Sequence, residues 1–260
     1  MNHTELTASL KSLRLFAMAE NYVEIAKIAE AKNLTYEKFL AALASAELTH
    51  KQIAKAKSLI KSAKFPVEKV LETYRFDGRR GITSTQLARL AEGQWVKKAE
   101  NVIFFGTFGL GKTHIALGLL RSLCEIGFRC LFITTDKLIR DLTTAKKELT
   151  LTSLLRRLDN FDLIACDELG FVPQNQEGAD LFFQFISQRY ERRSLLITTN
   201  LTYSEWSKVF LNPITTAAAV DRIIHHSETF NIEGDRSFRE QEAMEKLKLT
   251  KKDQENISPN

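Results

Sequence analysis

The sequence predicts an α/β protein, a parallel sheet with helices on both faces, preceded by a small all-helical domain. Three observations carry this expectation. From Trp95 onward, apolar runs of strand length alternate with stretches of helical spacing. The run Asn101-Val102-Ile103-Phe104-Phe105 leads straight into Gly106-Thr107-Phe108-Gly109-Leu110-Gly111-Lys112-Thr113, after which Ile115, Ala116, Leu119 and Leu120 recur at helical spacing. Residues 1 to about 65, by contrast, contain no proline, no glycine and no strand-like alternation.

In the helical region, Leu10, Leu13 and Phe16 open a pattern that Tyr22, Val23, Ile25 and Ile28 continue, and residues 33–35 break it. Thr35 can cap a helix bearing Phe39, Leu40 and Leu43, and Thr49 with Gln52 forms a capping-box pair for a third helix. That helix carries Lys51, Lys55, Lys57, Lys61 and Lys64, with Ile53, Leu59 and Ile60 as its apolar complement. Taken alone, such a row is either a solvated face, the usual fate of charge runs, or a basic face laid on nucleic-acid phosphates. Pro66 ends the run, so the helical domain is expected over residues 1–66. Residues 67–95 read as a linker, with turn-forming Gly78 and Gly81 beside Arg75, Arg79 and Arg80, then a short helical pattern at Gln86, Leu87, Leu90 and Ala91.

The α/β domain is expected over residues 96–242, with a polar, disordered tail over 243–260. After the first strand, glycine loop and helix, a second strand is expected at 129–134, helices at 138–142 and 151–158, and a third strand at 161–166. A helix with Leu181, Phe182, Phe185, Ile186 and Tyr190 precedes a fourth strand at 194–199, and a helical stretch at 217–226 precedes a last strand at 229–233.

The chemistry sits at the strand ends. G-x-x-x-x-G-K-T between a strand and a helix is the phosphate-cradling loop of nucleoside-triphosphate-binding proteins: its backbone N–H groups converge on anions at a helix N-terminus. Lys112 adds a mobile positive charge, and the Thr113 hydroxyl a magnesium ligand. Asp167 and Glu168 close the third strand, where a carboxylate pair beside an apolar core needs a partner. Asp167 is expected to hold magnesium, mostly through water, and Glu168 to polarise the attacking water. Asn200 ends the fourth strand at the same edge, either as a sensor of the terminal phosphate or as a turn residue. Arg222 either points outward to act on another subunit or pairs with a local carboxylate. His225 and His226 are adjacent, and adjacent positions on a helix face different directions, which argues against a shared metal.

The net charge of +5 leans weakly toward an anionic partner. No apolar run reaches membrane-span length, residues 1–15 are too polar for a secretory signal, and Cys124, Cys130 and Cys166 lie in apolar elements without metal-ligand spacing. These features predict a cytoplasmic protein with buried, reduced thiols.

With the glycine loop, acidic pair, strand-end asparagine, late arginine and Gly234-Asp235-Arg236-Ser237-Phe238-Arg239 in this order, the chain resembles an AAA+ ATPase. More narrowly, it resembles the IstB-like helper ATPases of insertion-sequence transposition, relatives of the DnaC-type helicase loaders, over about residues 8–242. Leu10-Lys11-Ser12-Leu13-Arg14-Leu15, residues 161–173, Ile197-Thr198-Thr199-Asn200-Leu201 and Asp221-Arg222-Ile223-Ile224-His225-His226 carry the likeness. The resemblance implies ATP and Mg2+ as cofactors, Walker A at residues 106–113, Walker B at Asp167 and Glu168, and sensor 1 at Asn200. It also implies an arginine finger at Arg222 acting on a neighbouring subunit and a sensor 2 at Arg239. The implied partners are duplex DNA, the transposase encoded by the same element, and further copies of the chain in an ATP-dependent homo-oligomer. It favours phosphate contact for the lysine row and for Arg79 and Arg80. Thr107 and Phe108 stand where family loops usually carry two prolines, which predicts a less rigid loop. A replicative-helicase loader shares the same core and differs in its partner; a small-molecule kinase shares the loop but needs an acceptor pocket.

Overall fold

The computed structural model describes residues 3–76, 79–170 and 175–234. The chain divides into two compact units, Met1–Ser58 and Leu59–Asn260.

The first unit holds α1 (His3–Ser12), α2 (Phe16–Ala31) and most of α3 (Tyr36–Ser62). Arg14 (φ 57°) and Asn33 (φ 48°) turn the chain between helices in the left-handed region, which asparagine tolerates better than most residues. Thr35 accepts a long hydrogen bond from the Lys38 amide at 3.4 Å, at the start of α3 as expected. The expected break at Thr49 is absent. The Thr49 hydroxyl bonds back to the Ser45 carbonyl at 2.9 Å, and α3 continues through it. A threonine hydroxyl can serve either role, and here the apolar spacing on both sides keeps the helix intact. Buried Glu47, on α3, accepts the Met18 amide at 3.1 Å, so a carboxylate caps the positive end of α2.

The second unit contains, in order, β1 (Arg79–Arg80), α4 (Ser84–Ala91), α5 (Gln94–Lys97), β2 (Asn101–Phe105), α6 (Lys112–Glu125), β3 (Cys130–Thr134), α7 (Thr135–Lys147), α8 (Leu151–Asp159), β4 (Leu163–Leu169), α9 (Gln176–Arg189), β5 (Ser194–Thr199), α10 (Ser207–Phe210), α11 (Pro213–Ile224), β6 (Ser227–Asn231) and β7 (Glu233–Gly234). The main sheet is parallel, in the order β3-β4-β5-β2-β6. Strands β2, β3, β4 and β5 are largely apolar at successive positions because both of their faces are covered, whereas the edge strand β6 buries only Phe230. Val102, Phe104, Phe132, Leu163, Ala165 and Leu196 pack toward α4, α5 and α6. Ile103, Leu131, Ile133, Ile164, Cys166 and Ile197 pack on the other face with α7, α8, α9, α10 and α11. The two-residue alternation of a strand divides one run between two cores. All three cysteines are buried and unbridged, and burial pushes the Cys166 thiol up to about 12.

Two expectations need correction. The stretch read as a linker over 67–95 is built into the second unit: Tyr74, Ile82, Leu87, Leu90 and Trp95 are buried in its core. Thr83 and Gln86 form a capping box that starts α4, and β1 pairs antiparallel with β7. Turn glycines and arginines masked an apolar residue every few positions. The last strand of the main sheet lies earlier than expected, at Ser227–Asn231, because its register with β2 pairs Asn101 with Ser227. Glu233 and Gly234 leave that ladder for β1.

Candidate nucleotide site

The phosphate loop leaves β2 at Phe105 and enters α6 at Lys112. Two of its glycines are sterically required. Gly106 has φ 146°, and a Cβ there would lie 2.2 Å from the Ile232 carbonyl oxygen. Gly111 caps α6 at φ 88°, where a Cβ would meet the Tyr74 ring at 2.9 Å. The first-turn N–H groups of α6 are therefore presented beside a backbone that a ligand can approach closely. Lys112 folds back over the loop, its Nζ donating to the Gly106 and Thr107 carbonyls at 2.7 and 2.8 Å.

Parallel register brings the acidic pair to the same edge, since Thr134 at the end of β3 pairs with Asp167. Asp167 is only 3% exposed. The Thr113 hydroxyl donates to its Oδ1 and Oδ2, both at 3.1 Å, and the Thr198 hydroxyl donates to Oδ1 at 2.5 Å. Burial holds the Asp167 carboxyl above its usual range, and the two hydroxyls offset only part of that rise. The next residue behaves differently. Glu168 has φ 59°, within a register shift between β4 and β5, and its side chain is exposed. One acid is thus fixed beside Thr113 while its neighbour lines the open cleft.

That cleft has a volume of about 380 Å³. Its lining joins Phe108, Gly109, Leu110, Gly111, Lys112 and Thr113 to Glu168, Thr198, Thr199 and Asn200. Val67, Lys69, Tyr74, Arg75 and His114 also line it. A cradle that a Cβ would fill, a lysine over it, and a buried carboxylate bonded to Thr113 fit a magnesium-bound triphosphate. The Val67 to Arg75 wall escaped sequence reading because it lies in the stretch taken for a linker. Proline and arginine neighbours hid Val67 and Tyr74 as lining residues.

The remaining expected residues are more scattered. Arg222 is not among the cleft-lining residues: its guanidinium sits 4.9 Å from the Phe183 ring centre, and Nη1 donates to the Ala218 carbonyl at 3.2 Å. Arg239 lies outside the described residues. Lys51, Lys55, Lys57, Lys61 and Lys64 are all exposed, with Lys51 3.6 Å from Glu47. Arg80 is exposed in β1, which also includes the backbone of Arg79. His225 and His226 do not point apart as expected. Helix α11 ends at Ile224, so helical directions no longer apply, and the two rings lie 4.0 Å apart beside Glu191.

Comparison with known proteins agrees with this geometry. The model of the family described as IstB-like ATP binding protein matches residues 8–246. An insertion-sequence ATP-binding protein of Sinorhizobium fredii is 35% identical over 94% of this chain and 82% of its own length. An ATP-binding protein named for insertion sequence IS21, from Pseudomonas aeruginosa, is 34% identical over 95% of this chain and 93% of its own. Among solved structures, the DnaC helicase loader superposes with a TM-score of 0.53 at 22% identity, covering 63% of this chain and 96% of that one. AMPPCP-bound DnaA from Aquifex aeolicus gives 0.52 at 18% identity, over 71% of this chain and 56% of its own. Among the described residues no helix is long and apolar enough to cross a membrane. The loop, the acidic pair and the sheet order thus belong to a known lineage: the chain is a member of the IstB-like ATP binding proteins, with a fold shared with DnaC and DnaA.

Proposed function

We propose that this ATPase is a DNA-binding helper of transposition, which oligomerises on duplex DNA with ATP between subunits and recruits or activates the transposase of its own insertion sequence. The observation that carries the chemical half is the convergence of the glycine loop, Thr113, Asp167, Glu168 and Asn200 on one cleft. The names of the relatives, all tied to insertion sequences, support the biological half.

In this reading the loop amides and Lys112 bind the triphosphate. Thr113 and Asp167 would hold Mg2+, which supplies neutralisation of the phosphate charge. Glu168, exposed to the cleft, orients and polarises the attacking water, and Asn200 contacts the water or the terminal phosphate. Arg222 serves the nucleotide of an adjacent subunit, and Arg239 acts as the second sensor. Lys51, Lys55, Lys57, Lys61, Lys64, Arg79 and Arg80 supply phosphate contacts to DNA, so binding has little sequence preference and weakens steeply with salt. The helical residues 1–66 engage DNA and the transposase. The kinase alternative is the weaker reading, because the acidic pair of Asp167 and Glu168 suits attack by water rather than transfer to a bound acceptor.

The decisive experiment follows ATP hydrolysis and particle size with and without duplex DNA, for the wild type and Glu168→Gln. The expected result is DNA-stimulated turnover and ATP-dependent assemblies, with Glu168→Gln trapping the assemblies and lowering turnover at least about a hundredfold. Turnover and size that ignore DNA would sink the nucleic-acid half. Pull-down of the element's transposase, as against a replicative helicase, separates this reading from a loader.

A further inference from the structure

Thr198 lies next to last in β5 and is 1% exposed. By composition it is an ordinary β-branched strand residue. Its hydroxyl, however, touches both members of the acidic pair. It donates to Asp167 Oδ1 at 2.5 Å and accepts the Glu168 backbone N–H at 3.0 Å. A threonine hydroxyl has one proton and two lone pairs, so it can make both bonds at once.

The second bond falls where the β4–β5 ladder is irregular. Register is regular as far as Cys166 opposite Ile197, then resumes at Leu169 opposite Thr199. Asp167 and Glu168 fill this bulge, and Glu168 takes a left-handed conformation that costs a side-chain-bearing residue energy unless its surroundings hold it there. The Thr198 hydroxyl is part of those surroundings. On its other side, it and Thr113 bracket the Asp167 carboxylate. Next along the chain, Thr199 donates instead to the Leu169 carbonyl at 2.9 Å, closing the far end of the bulge.

We propose that Thr198 is a positioning residue for ATP hydrolysis: through one hydroxyl it orients the Asp167 carboxylate toward Thr113 and holds Glu168 in the backbone conformation that turns its side chain to the cleft. This rests on the roles given above to Asp167 and Glu168. It differs from the role given to Asn200, which contacts the water or the terminal phosphate itself.

Thr198→Val keeps the shape and removes the hydroxyl; Thr198→Ser keeps the hydroxyl. The expected result for Thr198→Val is a kcat about 10- to 100-fold lower, with KM for ATP within about threefold and a higher magnesium concentration needed for half-maximal rate. Thr198→Ser should recover kcat to within about threefold of wild type. In the Glu168→Gln background, Thr198→Val should cost much less than in the wild type, because its main route of action is already gone. If Thr198→Val does not fold, Thr198→Ala against Thr198→Ser poses the same question, since that pair differs by one oxygen. A wild-type kcat in Thr198→Val, or a Thr198→Ser as slow as the valine variant, overturns the proposal. Should Glu168→Gln itself hydrolyse ATP normally, the reading of the whole site fails. An inactive Glu168→Gln beside a normal Thr198→Val removes the Thr198 inference alone.

Discussion

The Glu205 carboxylate is held by Lys208 Nζ at 2.8 Å and by the Thr202 amide and hydroxyl, each at 3.0 Å. These bonds, the lysine's first, lower its titration from 4.5 to about 2. A carboxyl depressed on folding contributes stability above its unfolded value and loses it as the pH falls through the folded one. Glu205→Gln should therefore be slightly less stable than wild type at pH 7, with the difference fading between pH 4.5 and 2. Urea midpoints at pH 7, 4 and 3 measure this, and added salt should shrink the effect at pH 7, because the group is partly exposed. A difference that grows toward low pH would refute the assignment. At this scale the sequence was legible where a residue type contradicts its setting. Asp167 and Glu168 stand out as acids at the end of an apolar run. Thr198 does not, because a buried threonine in a strand is what β-propensity alone would place there, and its two bonds exist only once β4 and β5 pair.

At the scale of the element, β2 must deliver the loop at a fixed height, and Asn101 sets that height. Its side-chain Nδ2 donates to the Ile223 carbonyl at 3.0 Å, and its Oδ1 accepts the Leu195 amide at 2.9 Å. One amide thus ties the start of β2 to β5 and to the end of α11, in a place where little water can replace it. Asn101→Ala leaves two buried backbone groups unsatisfied, each costing about 1–3 kcal/mol. Thermal and urea unfolding should show the loss, while the volume-matched Asn101→Leu should be no milder, since it restores neither bond. If either variant matches wild-type stability, Asn101 is not the fastener described. The strands themselves were legible because parallel strands covered on both faces read as continuous apolar runs. Their order was not, since sequence spacing does not say that β2 inserts between β5 and β6. Neither was the role of residues 67–95, whose apolar positions are spaced by turn glycines and charges and gain meaning only against α6.

The whole molecule raises a question that one subunit cannot answer. Arg222 is stacked near Phe183 and is not among the residues that line the cleft of its own chain. If it serves a neighbour, each site takes its loop and Glu168 from one copy and its arginine from the next, a head-to-tail contact that repeats along a ring or filament. Two inactive variants then become complementary. Arg222→Ala has an intact cleft but offers no arginine; Glu168→Gln cannot turn over its own ATP but still presents Arg222. In a random equal mixture, about a quarter of contacts pair an Arg222→Ala cleft with a Glu168→Gln arginine, so turnover should recover to about a quarter of wild type in the presence of DNA. An arginine acting within its own subunit predicts no recovery at any ratio, because no single chain in the mixture carries both groups. Recovery should also peak at equal amounts and vanish at either extreme, which separates true complementation from contamination by wild-type protein. A series of mixing ratios at constant total protein, read by phosphate release, therefore decides whether the ATPase is a property of the chain or of the contact between chains.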